Sequence, residues 1–236
     1  MFADLIQRRS LRPGSLVVAM LIATAPGIAH TAEPTTAAEF ERRGSEHFIA
    51  GRFPESVADF DAEIRLEPRR SPWHWKRGIS LYYAGRYADG AKQFEGYQTV
   101  DGNDVENAVW RFLCQARDPN VGFEKARAGI LAIKDDRRVP MMQIYALFKG
   151  DLQPQDVLNA SRLGAAGEAD LNQRLFYANL YLGLYEETRG GGKRAETYIT
   201  ESARLAIDHY MGDVARVHAR IINARPNQQV TRPKSE

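Results

Sequence analysis

The sequence predicts an all-α protein, a right-handed α-solenoid of helix–turn–helix pairs that ends in a C-terminal capping helix. One observation is an internal repeat between residues 37 and 104. The recurring pairs are Gly44 and Gly78, Gly51 and Gly85, Phe53 and Tyr87, and Phe60 and Phe94. Their common spacing of about 34 residues is typical of repeats built from two helices. The second observation is apolar residues at helical spacing, with no convincing strand pattern anywhere in the chain.

The first 29 residues are predicted to be a cleaved secretory signal peptide. The basic residues that open it are Arg8, Arg9 and Arg12. An apolar run follows at 16–25, and small residues near Ala29 or Ala32 suit cleavage there. The alternative is a membrane anchor, but the run is only about half of the ~20 residues that a spanning helix needs. No cysteine directly follows the run, so a lipid-anchored mature N-terminus is not expected. We therefore expect a periplasmic or secreted protein with no stable membrane anchor after cleavage, and a polar linker at 30–36.

Charge and cysteine content exclude some classes of function. The chain of 236 residues has a formal charge of +2, and residues 1–29 themselves carry +2, which leaves the rest near neutral. A nucleic-acid-binding protein normally has a basic face, so no nucleic-acid partner is expected. The only cysteine, Cys114, lies between apolar residues and is interpreted as a buried small hydrophobe rather than as a reactive thiol.

The repeats begin with a helical pair at 37–70. Gly51 suits the left-handed turn between its helices, and Pro54 suits the first turn of the second helix. A second pair at 71–104 has the same order. Gly78 and Gly90 lie inside helices, where glycine costs up to about 1 kcal/mol, so we expect close contact between helices at these positions.

The remaining chain follows a less regular order. The predicted segments are a degenerate repeat at 105–138, connecting helices at 139–167, a further repeat at 176–209, a capping helix at 210–223 and a disordered tail at 224–236. The capping helix is amphipathic, with Met211 and Val214 on one side and Arg216 and Arg220 on the other. A terminal helix of this kind covers the end of a repeat array.

These positions carry a resemblance to a known family. The first repeat has glycine at its eighth and fifteenth positions, an aromatic residue at its seventeenth, phenylalanine at its twenty-fourth and proline at its thirty-second. This pattern resembles the tetratricopeptide repeat (TPR). The order of clear and degenerate repeats over 37–208 is also similar to the NlpI family of bacterial envelope proteins, although the lipidated cysteine of that family is absent.

The resemblance implies a function as well as a fold. Members of the NlpI family are dimeric adaptors that bring a protease together with cell-wall hydrolases, so the resemblance implies a non-catalytic adaptor, a homodimer, and protein or peptide partners bound in the concave groove. The groove positions of the repeat family that are apolar or aromatic here are Phe48, Trp75, Ile79 and Tyr82. The alternative is that these side chains pack against neighbouring helices or a dimer mate.

No catalytic, metal-binding or cofactor-binding motif is found in the sequence. The five histidines are scattered, and none forms an i, i+4 pair of the zinc-binding kind. The Gly190–Lys193 run lacks the spacing of a phosphate-binding loop. No cofactor is therefore expected. Two other functions stay open: a structural factor that self-associates, and an envelope enzyme whose catalytic groups converge from distant repeats.

Overall fold

The computed structural model describes residues 33–225, and this part of the chain contains eleven α-helices, one 3-10 helix and no strand. The α-helices are α1 (Ala37–Ile49), α2 (Phe53–Leu66), α3 (Trp75–Tyr83), α4 (Tyr87–Tyr97), α5 (Val105–Arg117), α6 (Phe123–Ala128), α7 (Met141–Lys149), α8 (Pro154–Arg162), α9 (Glu168–Thr188), α10 (Gly192–Arg204) and α11 (Tyr210–Asn223). The 3-10 helix is Pro68–Trp73. The predicted all-α class is confirmed. The predicted signal peptide and most of the predicted tail lie outside the described residues.

Helix α1 begins and ends as local sequence chemistry requires. The Thr36 side chain accepts a hydrogen bond from the Glu39 N–H, and the Glu39 carboxylate accepts bonds from the Thr35 and Thr36 N–H groups. This capping box satisfies backbone donors that the first turn leaves free. The turn into α2 contains Gly51 at φ 78°, a left-handed conformation that glycine adopts without steric cost.

Three helical pairs make the same close contact. A Cβ atom at Gly44 would lie 2.7 Å from the Phe60 ring, and one at Gly78 would lie 2.6 Å from the Phe94 ring. At Gly183 the distance to Ile199 would be 2.5 Å. Each glycine thus accepts a large side chain from the helix that follows it. The close contact predicted at Gly78 is confirmed, and it recurs near both ends of the described chain.

The second helix of each early pair also contacts the next pair. A Cβ at Gly90 of α4 would lie 2.8 Å from the Cys114 Sγ of α5. The buried Ser56 and Ser80 hydroxyls are 2.9 Å apart and join α2 to α3. Cys114 is fully buried, as the sequence predicts. Small residues therefore allow close packing between pairs as well as within them.

The middle of the chain departs from the regular order. After the six-residue α6, residues 129–140 contain no regular helix, so the segment predicted as a degenerate repeat has only a short second helix. Helix α9 begins at Glu168 rather than at 176 and runs for 21 residues to Thr188. It contacts α5, α7, α8 and α10. This long helix is the element that joins the central helices to the C-terminal pair.

Helix α11 packs on α10 and also on α1, so the last helix reaches the first one. Its apolar side is buried at Met211, Val214 and Val217, while Arg216 and Arg220 stay exposed. The Arg220 guanidinium donates a hydrogen bond to the Ile49 carbonyl at the end of α1. Across residues 33–225, no helix is long and apolar enough to cross a membrane.

Candidate functional site

Three of the four predicted groove residues lie in the core. Phe48 is 0%, Ile79 1% and Tyr82 4% exposed. The expectation that they face an open groove is corrected. The Tyr210 ring of α11 lies 5.3 Å from the Phe48 ring, and the Trp110 ring of α5 lies 5.4 Å from the Tyr82 ring. The alternative stated from the sequence, packing against neighbouring helices, describes these three side chains.

Trp75 differs from the other three because part of its side chain remains exposed to solvent. Its ring stacks on His209 at 6.0 Å between centroids and meets Tyr210 edge to face at 5.3 Å. The Lys76 ammonium lies 5.9 Å from the same ring. The N-terminus of α11 therefore leaves Trp75 at the boundary between the core and two adjoining cavities.

The first of these, here named the Trp73 cleft, lies between the first two helical pairs and has a volume of about 280 Å³. Its walls are formed by Glu41, Glu63, Arg70, Trp73, His74, Trp75, Lys76 and Tyr97. Trp73 is 58% exposed and meets Tyr97 edge to face at 6.4 Å. An exposed tryptophan supported by a second ring presents a large, rigid contact surface at the mouth of this cleft.

The polar floor of the Trp73 cleft is fully paired. The buried Glu63 carboxylate lies 2.7 Å from the His74 Nε2 and 2.6 Å from the Arg70 guanidinium. The His74 Nδ1 accepts a hydrogen bond from the Arg77 N–H, so the Nε2 carries the proton and donates it to Glu63. Lys76 pairs with Glu41 at 2.8 Å. These bonds hold the first turn of α3 in place, and they leave both positively and negatively charged side chains on the walls of the cleft.

The second cavity, here named the Asp104 cavity, has a volume of about 200 Å³. It is lined by Trp75, Ile79, Phe94, Tyr97, Asp104, Glu106, Asn107, Trp110, Arg138, His209 and Met211. It shares Trp75 and Tyr97 with the Trp73 cleft. Two of the predicted site residues, Trp75 and Ile79, therefore line one cavity, whereas Phe48 and Tyr82 do not.

A single guanidinium holds three carboxylates beside this cavity. Arg138 lies 2.6 Å from Asp104, 2.7 Å from Glu106 and 2.6 Å from Asp136. The Tyr181 hydroxyl donates a further bond to Glu106 at 2.5 Å. The cluster thus has one positive group for three acidic groups, and its excess charge is negative.

The environment of Glu106 changes its acidity. Burial raises the pKa of Glu106 to about 7, and the neighbouring charge of Asp104 adds to the increase, against the opposing effect of Arg138. Burial also raises the pKa of Asp104. The pKa of Tyr97 is raised by burial and by the nearby Asp104 and Asp101. A carboxyl that titrates near neutral pH can serve in binding or in proton transfer.

Two buried polar atoms of the cavity wall have no hydrogen-bond partner within residues 33–225. They are the Asn107 Oδ1 and the Trp110 Nε1, on side chains of residues that are 3% and 2% exposed. The Asn107 Nδ2 is occupied, since it donates to the Gln98 Oε1 at 3.1 Å. Unpaired polar atoms are rare in protein interiors because their desolvation is costly, so these two atoms mark the cavity wall as a candidate binding surface.

A separate polar cluster lies beneath α11. The Glu187 carboxylate of α9 contacts the His218 Nε2 at 3.1 Å, Arg117 at 2.8 Å and Arg225 at 2.5 Å. Burial opposes ionisation of Glu187, but these basic neighbours outweigh it and hold its pKa below the usual range. The His218 Nδ1 also bonds the Tyr83 hydroxyl at 2.8 Å. The cluster has no adjoining cavity among those above and fastens α11 to α3, α5 and α9.

Neither a metal site nor a reactive thiol is supported within the described residues. Residues 33–225 contain no group of three or more histidine, cysteine or carboxylate side chains placed to hold a metal ion. Burial raises the pKa of the Cys114 thiol well above its ordinary value, so this thiol stays protonated and unreactive at neutral pH.

The sequence did not point to Tyr97, Asp104, Glu106, Asn107 or Arg138. Their only local signal is Asp104 at a helix start, where it accepts a bond from the Glu106 N–H at 3.1 Å. Arg138 reaches the site from the irregular segment 129–140, which no periodic pattern places. No protein-family model matches the chain.

Proposed function

We propose that this protein is a non-catalytic adaptor of the bacterial cell envelope that binds other proteins or peptides through tetratricopeptide-like helical pairs. The repeated close contacts at Gly44, Gly78 and Gly183 support a repeat architecture of this kind. The NlpI resemblance supports a role in linking a protease to cell-wall hydrolases. A solenoid arrangement, secretion through the signal peptide and a homodimer belong to the same proposal.

The observation that carries the proposal is the exposed aromatic surface at the Trp73 cleft. Trp73 is 58% exposed beside Tyr97 and Trp75, and the Glu41–Lys76 pair lies on the same cleft. Tryptophan and tyrosine often supply most of the binding energy in protein interfaces. We therefore place the partner-binding surface at the cleft between the first two pairs, with Trp75 as the one predicted groove residue that contributes.

Site-specific photocrosslinking tests this function. Benzoylphenylalanine replaces Trp73 in the full chain expressed in its source cells, and Leu163, 80% exposed on the loop after α8, is the matched control position. We expect crosslinks to other proteins at 73 that are at least about tenfold more abundant than at 163. Equal yields at the two positions would contradict the adaptor function.

Crosslinks from position 73 to a second copy of this chain alone would instead support the self-association alternative. A Trp73→Ala variant should then change the molar mass seen by light scattering. If the adaptor proposal is right, Trp73→Ala keeps that mass, and affinity purification of this variant recovers less of the partner that position 73 crosslinks.

The enzyme alternative is favoured by one observation, the convergence of Asp104, Glu106 and Asp136 around Arg138 beside a cavity. A glutamic acid with a pKa of about 7 suits general acid or base catalysis. Cell-wall material from the source organism, incubated with wild type and with Glu106→Gln, tests this alternative. Release of soluble fragments by wild type but not by the variant would support the enzyme.

A further inference from the structure

We propose that the Asp104 cavity is a receptor for one lysine side chain of a bound peptide, with the ammonium group at Asp104 and Glu106. This inference rests on the proposed adaptor function, because it assigns the chemistry of the partner. The Trp73 cleft would hold the peptide, and the adjoining cavity would take its side chain. The two cavities share Trp75 and Tyr97, so a segment in one can reach the other.

The charge of the cavity favours a cation. Arg138 is the positive group that pairs with Asp104, Glu106 and Asp136, so three carboxylates face one guanidinium. Asp104 and Glu106 line the cavity, and their side chains are 19% and 15% exposed. An ammonium group placed there relieves the repulsion between carboxylates in a poorly solvated site.

The hydrogen-bonding atoms point to an ammonium group specifically. The buried Asn107 Oδ1 is an acceptor with no partner within residues 33–225. Together with Asp104 and Glu106 it supplies three acceptors, which matches the three N–H donors of a lysine side chain. The unpartnered Trp110 Nε1 in the same wall is a donor and is not used by the ammonium group.

The size and walls of the cavity fit a single side chain. Its volume of about 200 Å³ is below the roughly 300–1,000 Å³ of pockets that hold whole small-molecule ligands. Trp75, Tyr97 and Trp110 contribute aromatic rings to the wall. Such rings contact the alkyl stem of a lysine and attract its charge.

Titration of the purified full chain with small probes tests the inference. The probes are N-acetyl-lysine N-methylamide, its uncharged norleucine counterpart and n-butylamine, and calorimetry at pH 8 measures the affinities. We expect the lysine amide to bind at least about tenfold more tightly than the norleucine amide. Equal affinities would overturn the inference, and equal affinities for the lysine amide and butylamine would overturn the assignment to a peptide.

Two variants distinguish binding at the cavity from a general effect of surface charge. Asp104→Asn removes a charge from the cavity but keeps a residue that caps helices equally well, so α5 should still form. Asp135→Asn removes a charge from a side chain that is 64% exposed and does not line the cavity. We expect about a tenfold loss of lysine-amide affinity in the first variant only. Equal losses in the two variants, with both shown to be folded by circular dichroism, would contradict the inference.

The pH dependence provides a further check. Lysine-amide affinity should rise between pH 6 and pH 8 as Glu106 ionises, and Glu106→Gln should remove most of that rise. The other titratable or charged groups facing this carboxyl are Tyr97, Asp104, Asp136, Arg138, Tyr177, Tyr181 and His209. An unchanged rise in Glu106→Gln would contradict the placement of the ammonium.

The two proposals can fail separately. If position 73 crosslinks to a partner but the lysine amide does not bind, the adaptor function stands and the lysine receptor is wrong. If the lysine amide binds but no partner crosslinks to position 73, the adaptor function fails and the cavity remains a cation site.

Discussion

At the scale of single residues, the glycines of this chain fall into two physical classes. Gly51 and Gly85 have φ values of 78° and 74°, and they make the turns within the first two pairs. Gly44 and Gly78 have helical backbones and accept an aromatic ring where a Cβ would lie. Glycine is thus required at the turns for its backbone conformation and inside the helices for close packing. Substitutions in the two classes therefore have different effects.

The close-packing class is tested by Gly78→Ala. The added methyl would lie 2.6 Å from the Phe94 ring, which is itself 1% exposed and has little room to move. We expect a loss of about 1–3 kcal/mol in the free energy of unfolding, measured by urea denaturation. The control is Gly96→Ala in α4, where nothing lies within 4 Å, and alanine should be neutral or stabilise by up to about 1 kcal/mol.

Glu106 gives a second prediction at this scale. Its folded-state pKa of about 7 exceeds the ordinary value of 4.5, so the folded protein holds this proton more tightly than the unfolded chain. Its contribution to stability is therefore fully present below about pH 4.5 and is lost as pH rises through about 7. Glu106→Gln should remove this loss, on the order of 1–3 kcal/mol.

Denaturation curves at several pH values from 4 to 8 measure this pH-dependent contribution of Glu106 to stability. We expect the stability of Glu106→Gln relative to wild type to increase across this range. A difference that stays constant with pH would show that the folded-state pKa of Glu106 is not raised.

At the scale of elements, α11 decides which residues reach the surface. Its Tyr210 ring lies against Phe48, and its His218 bonds the Tyr83 hydroxyl. The aromatic side of α1 and α3, which the repeat pattern assigns to a groove, therefore becomes an interior surface. The binding surface that we propose lies instead at the neighbouring Trp73 cleft, where the 3-10 helix presents Trp73.

Phe48→Ala distinguishes an interior role from a binding role. Phe48 is fully buried and contacts the rings of Phe53, Tyr83 and Tyr210. Truncation should cost about 3–5 kcal/mol of unfolding free energy by chemical denaturation, as for other buried phenylalanines. Leu163→Ala, on an exposed loop, should stay within about 0.5 kcal/mol of wild type. A Phe48 variant as stable as wild type would mean that α11 does not cover this side chain.

At the scale of the whole molecule, the described helices belong to one compact unit that starts at Pro34, and its last helix contacts its first. In an open repeat array each pair contacts only its neighbours, so the ends unfold independently. The contact between α11 and α1, together with the Glu187 cluster beneath α11, couples the two ends of this unit.

Native-state hydrogen exchange tests this coupling. Val214→Ala in α11 and Val157→Ala in α8 are matched substitutions, because both side chains are 0% exposed. We expect the change in α11 to speed amide exchange in α1 and α3 as well as in α10, because opening α11 exposes them. The change in α8 should act mainly on α8 and α9. Equal effects of both variants on α1 would contradict a specific coupling through α11.

The sequence by itself determined the all-α class and the close contact at Gly78. These features depend on interactions between residues that are near one another in the chain. Such interactions produce a periodic pattern of residue types in the sequence, which can be read directly.

Only the tertiary structure decided which aromatic side chains are buried and where charged groups converge. Phe48 and Tyr210 are brought together by a helix that lies far away in the sequence, and Arg138 reaches Asp104 from a segment without periodicity. The free energy of such contacts depends on burial and on the geometry of several elements at once. No local pattern encodes that geometry, so the open groove was predicted where α11 packs, and the Asp104 cavity was not predicted at all.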